Sequence, residues 1–242
     1  MQILNSFDSV DLKEINAVSL MDRVDTKFIF HMNELEDILG RANDDYSVLQ
    51  IGGSRQMGYS NQYFDTHNLK FYTDHHNGKL FRTKIRIRRY DDTDLVFLEV
   101  KHKSNKGRMN KIRAKIPEFR DTLSEKAESF LSTQLSTGLN IVPTIRNNFQ
   151  RVTLVGRNER ITFDTNLTFQ QNGSSVKMGN LVIAEIKQAE LNRSSPLFTI
   201  LKEKKIKPYR ISKYCIGMAS LYDGIKKNRF KEKLNKIKKI TA

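Results

Sequence analysis

Apolar and charged positions alternate over much of the chain. From Lys84 to Lys103 the sequence reads KIRIRRYDDTDLVFLEVKHK. Lys84, Arg86 and Arg88 fall on one side, with Ile85 and Ile87 on the other. After a short acidic turn, Glu99, Lys101 and Lys103 oppose Val96, Leu98 and Val100. A period of two predicts strands. The same beat predicts strands in RVDTKFIF, MGYSNQYFDT, NKIRAKI, NFQRVTLVG, ERITFDT and NLVIAEIK. Helical spacing is confined to shorter stretches. NELEDILGRA carries a stripe of Leu35, Ile38 and Leu39 with Gly40 as its stop, and Leu123, Ala127, Phe130 and Leu131 mark a helix ending at Gly138. Ser195 and Pro196 supply an N-cap and first position, and SKYCIGMASLYDGI predicts a last core helix. Consecutive strands with few intervening helices predict an α+β fold, an antiparallel sheet or barrel with helices packed outside it. No fixed-period repeat and no Gly/Ser/Pro-rich linker interrupts it. The reading is one domain over residues 1–225, followed by a basic tail over 226–242.

Which strand face points inward is the next question. Arg23, Asp25 and Lys27 share a face, as do Lys111, Arg113 and Lys115, opposite Ile112 and Ile116. Ile183, Glu185 and Lys187 share another, Arg151 lies within FQRVTLV, and Arg160 and Asp164 lie together in RITFD. An open sheet with one wet face accounts for any single strand. Across the set, Arg and Lys recur with few neutral polar residues between them, and like charges on neighbouring strands repel. A compensating anion inside a barrel with a polar lumen and an apolar exterior resolves the conflict.

Composition sharpens this. The 242 residues carry 42 Lys+Arg against 27 Asp+Glu, a formal net charge of +15. That balance calls for a polyanionic partner. No helix-turn-helix, zinc-finger or RNP signature points to nucleic acid. A Gly-x-x-x-x-Gly-Lys-Ser/Thr loop is absent, so ATP would not be held by a P-loop. A single cysteine, Cys215, excludes an internal disulfide framework and reads as a buried structural thiol in a reducing compartment. The opening MQILNSFDSVDLKE lacks a signal-peptide apolar run, and no stretch approaches the ~20 apolar residues of a membrane span. The expected location is cytoplasmic, or peripheral on the inner face of the membrane.

Several smaller features have competing readings. His75 and His76, adjacent in a turn-like stretch, point apart and make a poor metal pair. Asp65 and Asp164, in YFDT and TFDT, read as turn caps or as a second metal contact. Tyr59, Tyr63 and Phe64 read as barrel-wall packing. In the tail, Phe230, Leu234 and Ile237 fall at i, i+4 and i+7, which predicts either an amphipathic helix on an anionic membrane surface or membrane-protein partner, or a solvated tail.

The order of short motifs resembles the VTC domain, the polyphosphate polymerase branch of the triphosphate tunnel (CYTH-like) superfamily. The pieces are RVDTKF, YFDT at 63–66, KIRIRRY, LEVKHK, NKIRAKI, FQRVTLV followed by RITFDTNL, AEIK, and ISKYCIGM at 211–218, together spanning roughly residues 15 to 223. The resemblance implies a tunnel of antiparallel strands lined with Arg and Lys. By position, Arg86, Arg88, Lys101 and Lys187 would do the catalytic work on phosphate. Lys27, Arg151, Arg160, Ser212, Lys213 and one or both of Lys111 and Arg113 would bind it, and Glu185 would hold a divalent metal, Mn²⁺ or Mg²⁺. The implied reaction transfers the γ-phosphate of ATP to a growing polyphosphate chain. Inorganic or nucleoside triphosphate hydrolysis and non-catalytic polyphosphate binding are the alternatives. Two departures stand out. The superfamily's Glu-x-Glu-x-Lys signature reads Arg23, Asp25, Lys27 here, a deviation that the polymerase branch shares. The tyrosine of its Tyr-x-Arg element is Phe149.

Overall fold

The computed structural model describes residues 1–17, 23–104, 109–135, 140–156 and 158–242, without the side chains of Asn16, Ala17 and Met109. Its strands are β1 (Ser9–Val10), β2 (Val24–His31), β3 (Ser47–Leu49), β4 (Met57–Thr66), β5 (Arg82–Tyr90), β6 (Leu95–Lys103), β7 (Met109–Ile116), β8 (Ile141–Val155), β9 (Glu159–Gln171), β10 (Ser174–Lys177) and β11 (Leu181–Gln188). The main sheet runs β2-β11-β9-β8-β4-β5-β6-β7. Every neighbour along that path is antiparallel. β10 extends β9, and a short parallel β1–β3 pair joins β8 through β3. The helices are α1 (Leu12–Ala17), α2 (Leu35–Ala42), α3 (Lys70–His76), α4 (Glu125–Gln134), α5 (Pro196–Glu203), α6 (Lys213–Leu221) and α7 (Asn228–Thr241).

The period-two pattern decides how this sheet curls. On β5 and β6, Ile85, Ile87, Leu98 and Val100 are at most 1% exposed and pack with Val96 and Ile116 under Ala127 and Leu131 of α4. A second outer layer joins Phe28 and Phe30 of β2, Val152 and Leu154 of β8, Ile161 and Phe163 of β9 and Ala184 and Ile186 of β11 to α2 and α5. Burying each such side chain is worth about 1.5–3 kcal/mol. A one-residue slip would turn every one of them inward and every cation outward, so the apolar layers fix the register. The intervening residues of β2, β4, β5, β6, β7, β8, β9 and β11 face a single cavity of about 650 Å³. The end strands β2 and β7 are not paired with each other among the described strands. The tunnel is therefore a curled sheet without a closed backbone ladder.

Outside packing holds for α2, α4 and α5. α6 and α7 instead sit on the lumen side, where Tyr214, Cys215 and Met218 of α6 pack with Tyr63, Ile145, Phe149, Phe169 and Ile183. Gly217 permits this approach: a Cβ there would lie 2.5 Å from both Ile145 Cδ1 and Phe169 Cδ1. Cys215 is fully buried in this layer. α2 continues through Gly40 to Ala42, because Ala42, with no exposed surface, completes its buried stripe. The predicted stop at Gly138 lies outside the described residues. The stretch holding His75 and His76 is helical, at the C-terminal end of α3.

The tail is ordered as α7. Phe230 and Ile237 are each 4% exposed and join the lumen-side layer, with Leu234 and Ile240 half-buried beside them. Phe230 meets the rings of Tyr72, His75 and His76 at 5.7, 6.2 and 5.7 Å. Its apolar stripe is thus occupied by the chain's own core. That stripe is therefore not free for a membrane or a membrane partner, one of the two readings of the tail; what remains outward is a basic face. Among the described residues no helix is long and apolar enough to cross a membrane. Truncating Phe230 to Ala should cost about 3–5 kcal/mol in urea unfolding, the usual range for a buried ring. A loss under 1 kcal/mol would show that α7 does not dock as seen.

Candidate functional site: a cationic tunnel

The antiparallel register sets the lining in rungs. Across β5 and β6 the facing pairs are Tyr90/Leu95, Arg88/Phe97, Arg86/Glu99, Lys84/Lys101 and Arg82/Lys103. On β7, Arg113 stands opposite Glu99 and Lys111 opposite Lys101. On the other wall Lys27 of β2 pairs with Glu185 of β11, Lys187 with Arg160 of β9, and Arg151 of β8 with Asp164 of β9. All twelve residues singled out from the sequence line this one cavity: Lys27, Arg86, Arg88, Lys101, Lys111, Arg113, Arg151, Arg160, Glu185, Lys187, Ser212 and Lys213.

Inside, three carboxylates each join two cations. Glu185 Oε1 lies 3.0 Å from Lys27 Nζ and Oε2 2.7 Å from Lys187 Nζ. Glu99, with no exposed surface, accepts from Arg86 Nε at 2.7 Å and Nη2 at 2.5 Å, and Lys111 closes on its other oxygen. Asp164 takes a two-pronged grip from Arg151, Nε at 2.5 Å and Nη2 at 2.8 Å, and a further contact from Lys213. Burial opposes ionisation of each acid, but the cations outweigh it. Lys187 and Lys27 hold Glu185 well below its ordinary range, Arg86, Arg88 and Lys111 do so for Glu99, and Arg151 and Lys213 for Asp164.

Arg23 pairs with Asp25 at 3.1 Å, whereas Arg88, Lys101, Arg113 and Arg160 have no carboxylate partner among the described residues. Arg88 donates from Nε to Asn61 Oδ1 at 2.9 Å and lies over the Tyr59 ring at 5.0 Å. Asn61 in turn donates to Asn147 Oδ1 at 2.8 Å. Arg113 rests on Phe97 at 4.8 Å. Burial, then Arg86 and Arg88, press the pKa of Lys101 well below that of an ordinary lysine. Such a group gains most from an arriving anion, because a bound phosphate removes the repulsion that disfavours its charge.

Three residues act through a cap that the sequence did not reveal. Ser212 is the N-cap of α6; its Oγ accepts from Cys215 N–H at 3.4 Å and from Lys84 Nζ at 3.1 Å. Lys213 follows and reaches Asp164. Asp65, fully buried, takes the capping role of the two read from the sequence: its carboxylate accepts from the N–H groups of Thr66, Phe71 and Tyr72 at 2.7–2.8 Å and from Tyr214 Oη at 2.6 Å. It therefore caps α3 and anchors the first turn of α6, the turn that delivers Ser212 and Lys213. Asp164, by contrast, is no turn cap; it lies mid-strand in the lumen. Phe149 stacks on Tyr59 at 5.2 Å with planes 2° apart, and Lys213 Nζ lies 4.4 Å from its centroid. Tyr59 and Tyr63 face the lumen, whereas Phe64 belongs to the outer layer.

The two ends of the tunnel differ. At one, Leu49, Ile51, Met57, Tyr90, Leu95 and Phe97 form an apolar and aromatic surface beside the charged Arg23, Asp25, Asp92 and Arg160, with Leu95 38% exposed. At the other, Arg82, Lys84 and Lys103 stand beside His75. Among the described residues no cluster of three or more His, Cys, Asp and Glu could hold a metal by itself. Glu185 fits a divalent ion only as one oxygen ligand among several, the rest coming from a phosphate substrate that also draws off Lys27 and Lys187.

Glu99→Gln should destabilise the protein by about 3–5 kcal/mol, since it leaves Arg86 and Lys111 buried without their counter-charge. The sign with pH follows from the lowered carboxyl pKa. The ionised acid stabilises the fold above the unfolded value of about 4.3, and the contribution is lost as pH falls through the lower folded value. Urea unfolding should therefore show a constant gap between wild type and variant from pH 7 to about 5, closing only in stronger acid. A gap that closes near neutrality contradicts the Glu99 pairing.

No curated protein matches the chain. Similar solved structures include the Hippeastrum protein HpAC1, described as having a dominant triphosphatase activity (16% identity, TM-score 0.47, covering 84% of this chain and 98% of that one). Others are the PH1819 protein of Pyrococcus horikoshii (15%, TM-score 0.47, 80% and 96%) and a conserved hypothetical protein of Pyrococcus furiosus (14%, TM-score 0.44, 79% and 99%). The family model for the VTC domain matches residues 22–222, most of the length described above. The chain belongs to the VTC domain family.

Proposed function

We propose that this protein is an ATP-dependent polyphosphate polymerase. The observation that carries the reading is the excess of lumen cations over lumen carboxylates: Arg88, Lys101, Arg113 and Arg160 remain without acid partners after Glu99, Asp164 and Glu185 are each doubly paired. A linear polyanion threaded along the tunnel matches that surplus. Arg offers a planar fork to phosphate oxygens, and Lys a movable point charge.

Phosphoryl transfer asks the protein mainly for positioning and charge stabilisation. The triphosphate of ATP lies across Arg86, Arg88 and Lys101, with its base toward the apolar rim at Tyr90 and Leu95. Lys187, Arg151 and Arg160 hold phosphates from the facing wall, and Lys27, Lys111, Arg113, Ser212 and Lys213 complete the cradle. A terminal oxygen of the growing chain attacks the γ-phosphorus in line. The new P–O bond forms as the bond from the γ-phosphorus to the β–γ bridging oxygen breaks, and ADP leaves with that oxygen. No general base is required, because the attacking phosphate is already ionised. Glu185 would hold Mn²⁺ or Mg²⁺ against the phosphates, where the ion neutralises charge that develops during transfer. The lone buried thiol of Cys215 suits a reducing, cytoplasmic setting.

Purified protein given ATP and Mn²⁺ should produce polyphosphate resolvable on a gel. Arg86→Ala and Glu185→Ala should each lower synthesis at least about 100-fold, the scale of losing one transition-state contact. Release of orthophosphate without polymer would identify a triphosphatase instead. Tight polyphosphate binding with no turnover would identify a binding module.

A further inference from the structure

Three arginines of the tunnel wall are held in two different ways. Arg86 gives Nε and Nη2 to Glu99 at 2.7 and 2.5 Å, and Arg151 gives the same two groups to Asp164 at 2.5 and 2.8 Å. Each therefore carries a counter-charge on one edge of its fork. Arg88, 6% exposed, has only a neutral acceptor: its Nε donates to Asn61 Oδ1 at 2.9 Å. Neither of its Nη groups has a hydrogen-bond partner among the described residues, and the guanidinium lies 5.0 Å from the Tyr59 ring and 6.0 Å from that of Tyr90. The strand register builds this arrangement. Asn61 of β4 stands opposite Arg88 of β5 on one side and Asn147 of β8 on the other. Neither asparagine has any exposed surface. Asn61 Nδ2 donates to Asn147 Oδ1 at 2.8 Å, so the Asn61 amide cannot turn its NH₂ toward Arg88 without losing that bond. Asn147 gives a second, separate sign. Its buried Nδ2 has no hydrogen-bond partner, and an unpaired buried donor destabilises a fold. Folding by itself does not favour an amide at that place; aiming Asn61 does.

We infer that Asn61, backed by Asn147, is a positioning residue for Arg88: its neutral oxygen fixes the Nε edge of the guanidinium, so that both Nη groups and the full positive charge are kept for a phosphate of the bound triphosphate. This rests on the polymerase reading and deepens it. A carboxylate in place of Asn61 would close on the fork as Glu99 and Asp164 do, and would cancel the charge. An apolar residue would leave Nε buried without an acceptor and the long side chain free to swing. An amide oxygen holds one N–H and leaves the charge standing. Donors fixed in this way need no rearrangement when charge develops at the transferring phosphoryl group. The wall thus divides its arginines. Arg86 and Arg151 give part of their forks to holding the lining together, and Arg88 keeps its outer edge for substrate.

Calorimetric titration of the full chain with tripolyphosphate, together with thermal melts, tests this. Asn61→Asp should melt no earlier than wild type, because the new carboxylate pairs with Arg88 and offers an acceptor to Asn147 Nδ2. It should nevertheless bind tripolyphosphate about tenfold more weakly, a difference near 1.4 kcal/mol. A role in packing alone would move stability and binding together. Asn61→Ala should weaken binding about fivefold in the wild-type background and less than about twofold in Arg88→Ala, since a residue that acts through another loses its effect once that other is gone. Binding by Asn61→Asp within about twofold of wild type overturns the inference. So does an earlier melt of that variant, or an equal loss from Asn61→Ala in both backgrounds. Wild type that binds tripolyphosphate without forming polymer from ATP overturns the polymerase reading and leaves the role of Asn61 standing; wild type that does not bind tripolyphosphate overturns both.

Discussion

Mutual repulsion among buried cations is the constraint on which the rest of this structure depends. Arg86, Arg88, Lys101, Lys111, Arg151, Lys187 and Lys213 share one cavity, and desolvation makes each of them costly. The fold answers with Glu99, Asp164 and Glu185, each set between two cations. These acids lie on three different strands of the main sheet. They hold the lining in place without neutralising it, and the residual positive charge is what a phosphate chain would meet.

Holding that lining also requires a rigid frame. The outer layers under α2, α4 and α5 are apolar and fix the strand register, so each Arg or Lys has one inward direction. α6 contributes in another way. Asp65 binds the first turn of α3 and the hydroxyl of Tyr214 together, and Ser212 caps α6 while receiving Lys84. A helix that would otherwise only seal the lumen therefore also supplies Lys213 at a defined place. α7 packs behind it through Phe230 and Ile237 and sets His75 at the tunnel end.

The tunnel is chemically graded along its length. Read along β6, the inward residues pass from Leu95 and Phe97 through Glu99 to Lys101 and Lys103. Apolar surface, mixed charge and cations without a carboxylate beside them succeed one another down the lumen. One strand thus carries three environments, because each side chain two residues on steps about 6.6–6.8 Å down the lumen.

Alternation within single strands was sufficient to place Arg86, Arg88, Lys101 and Lys187 on common faces, and charge excess was sufficient to demand an enclosed anion. Both follow from local periodicity and composition, which any strand displays in isolation. The pairings were not legible. Glu99 stood in plain view on the basic face of LEVKHK, yet its role depends on Arg86 across one ladder and Lys111 across another. Asp65 and Tyr214 are 149 residues apart, and Lys213 meets Asp164 across 49. The helical state of the tail and of the His75 segment was likewise decided by packing, since neither short stretch is stable as a helix without the aromatic cluster it buries. Local sequence sets which way a side chain points; only the folded sheet determines what it meets there, because contact energies between distant residues exist only once the chain has closed around them.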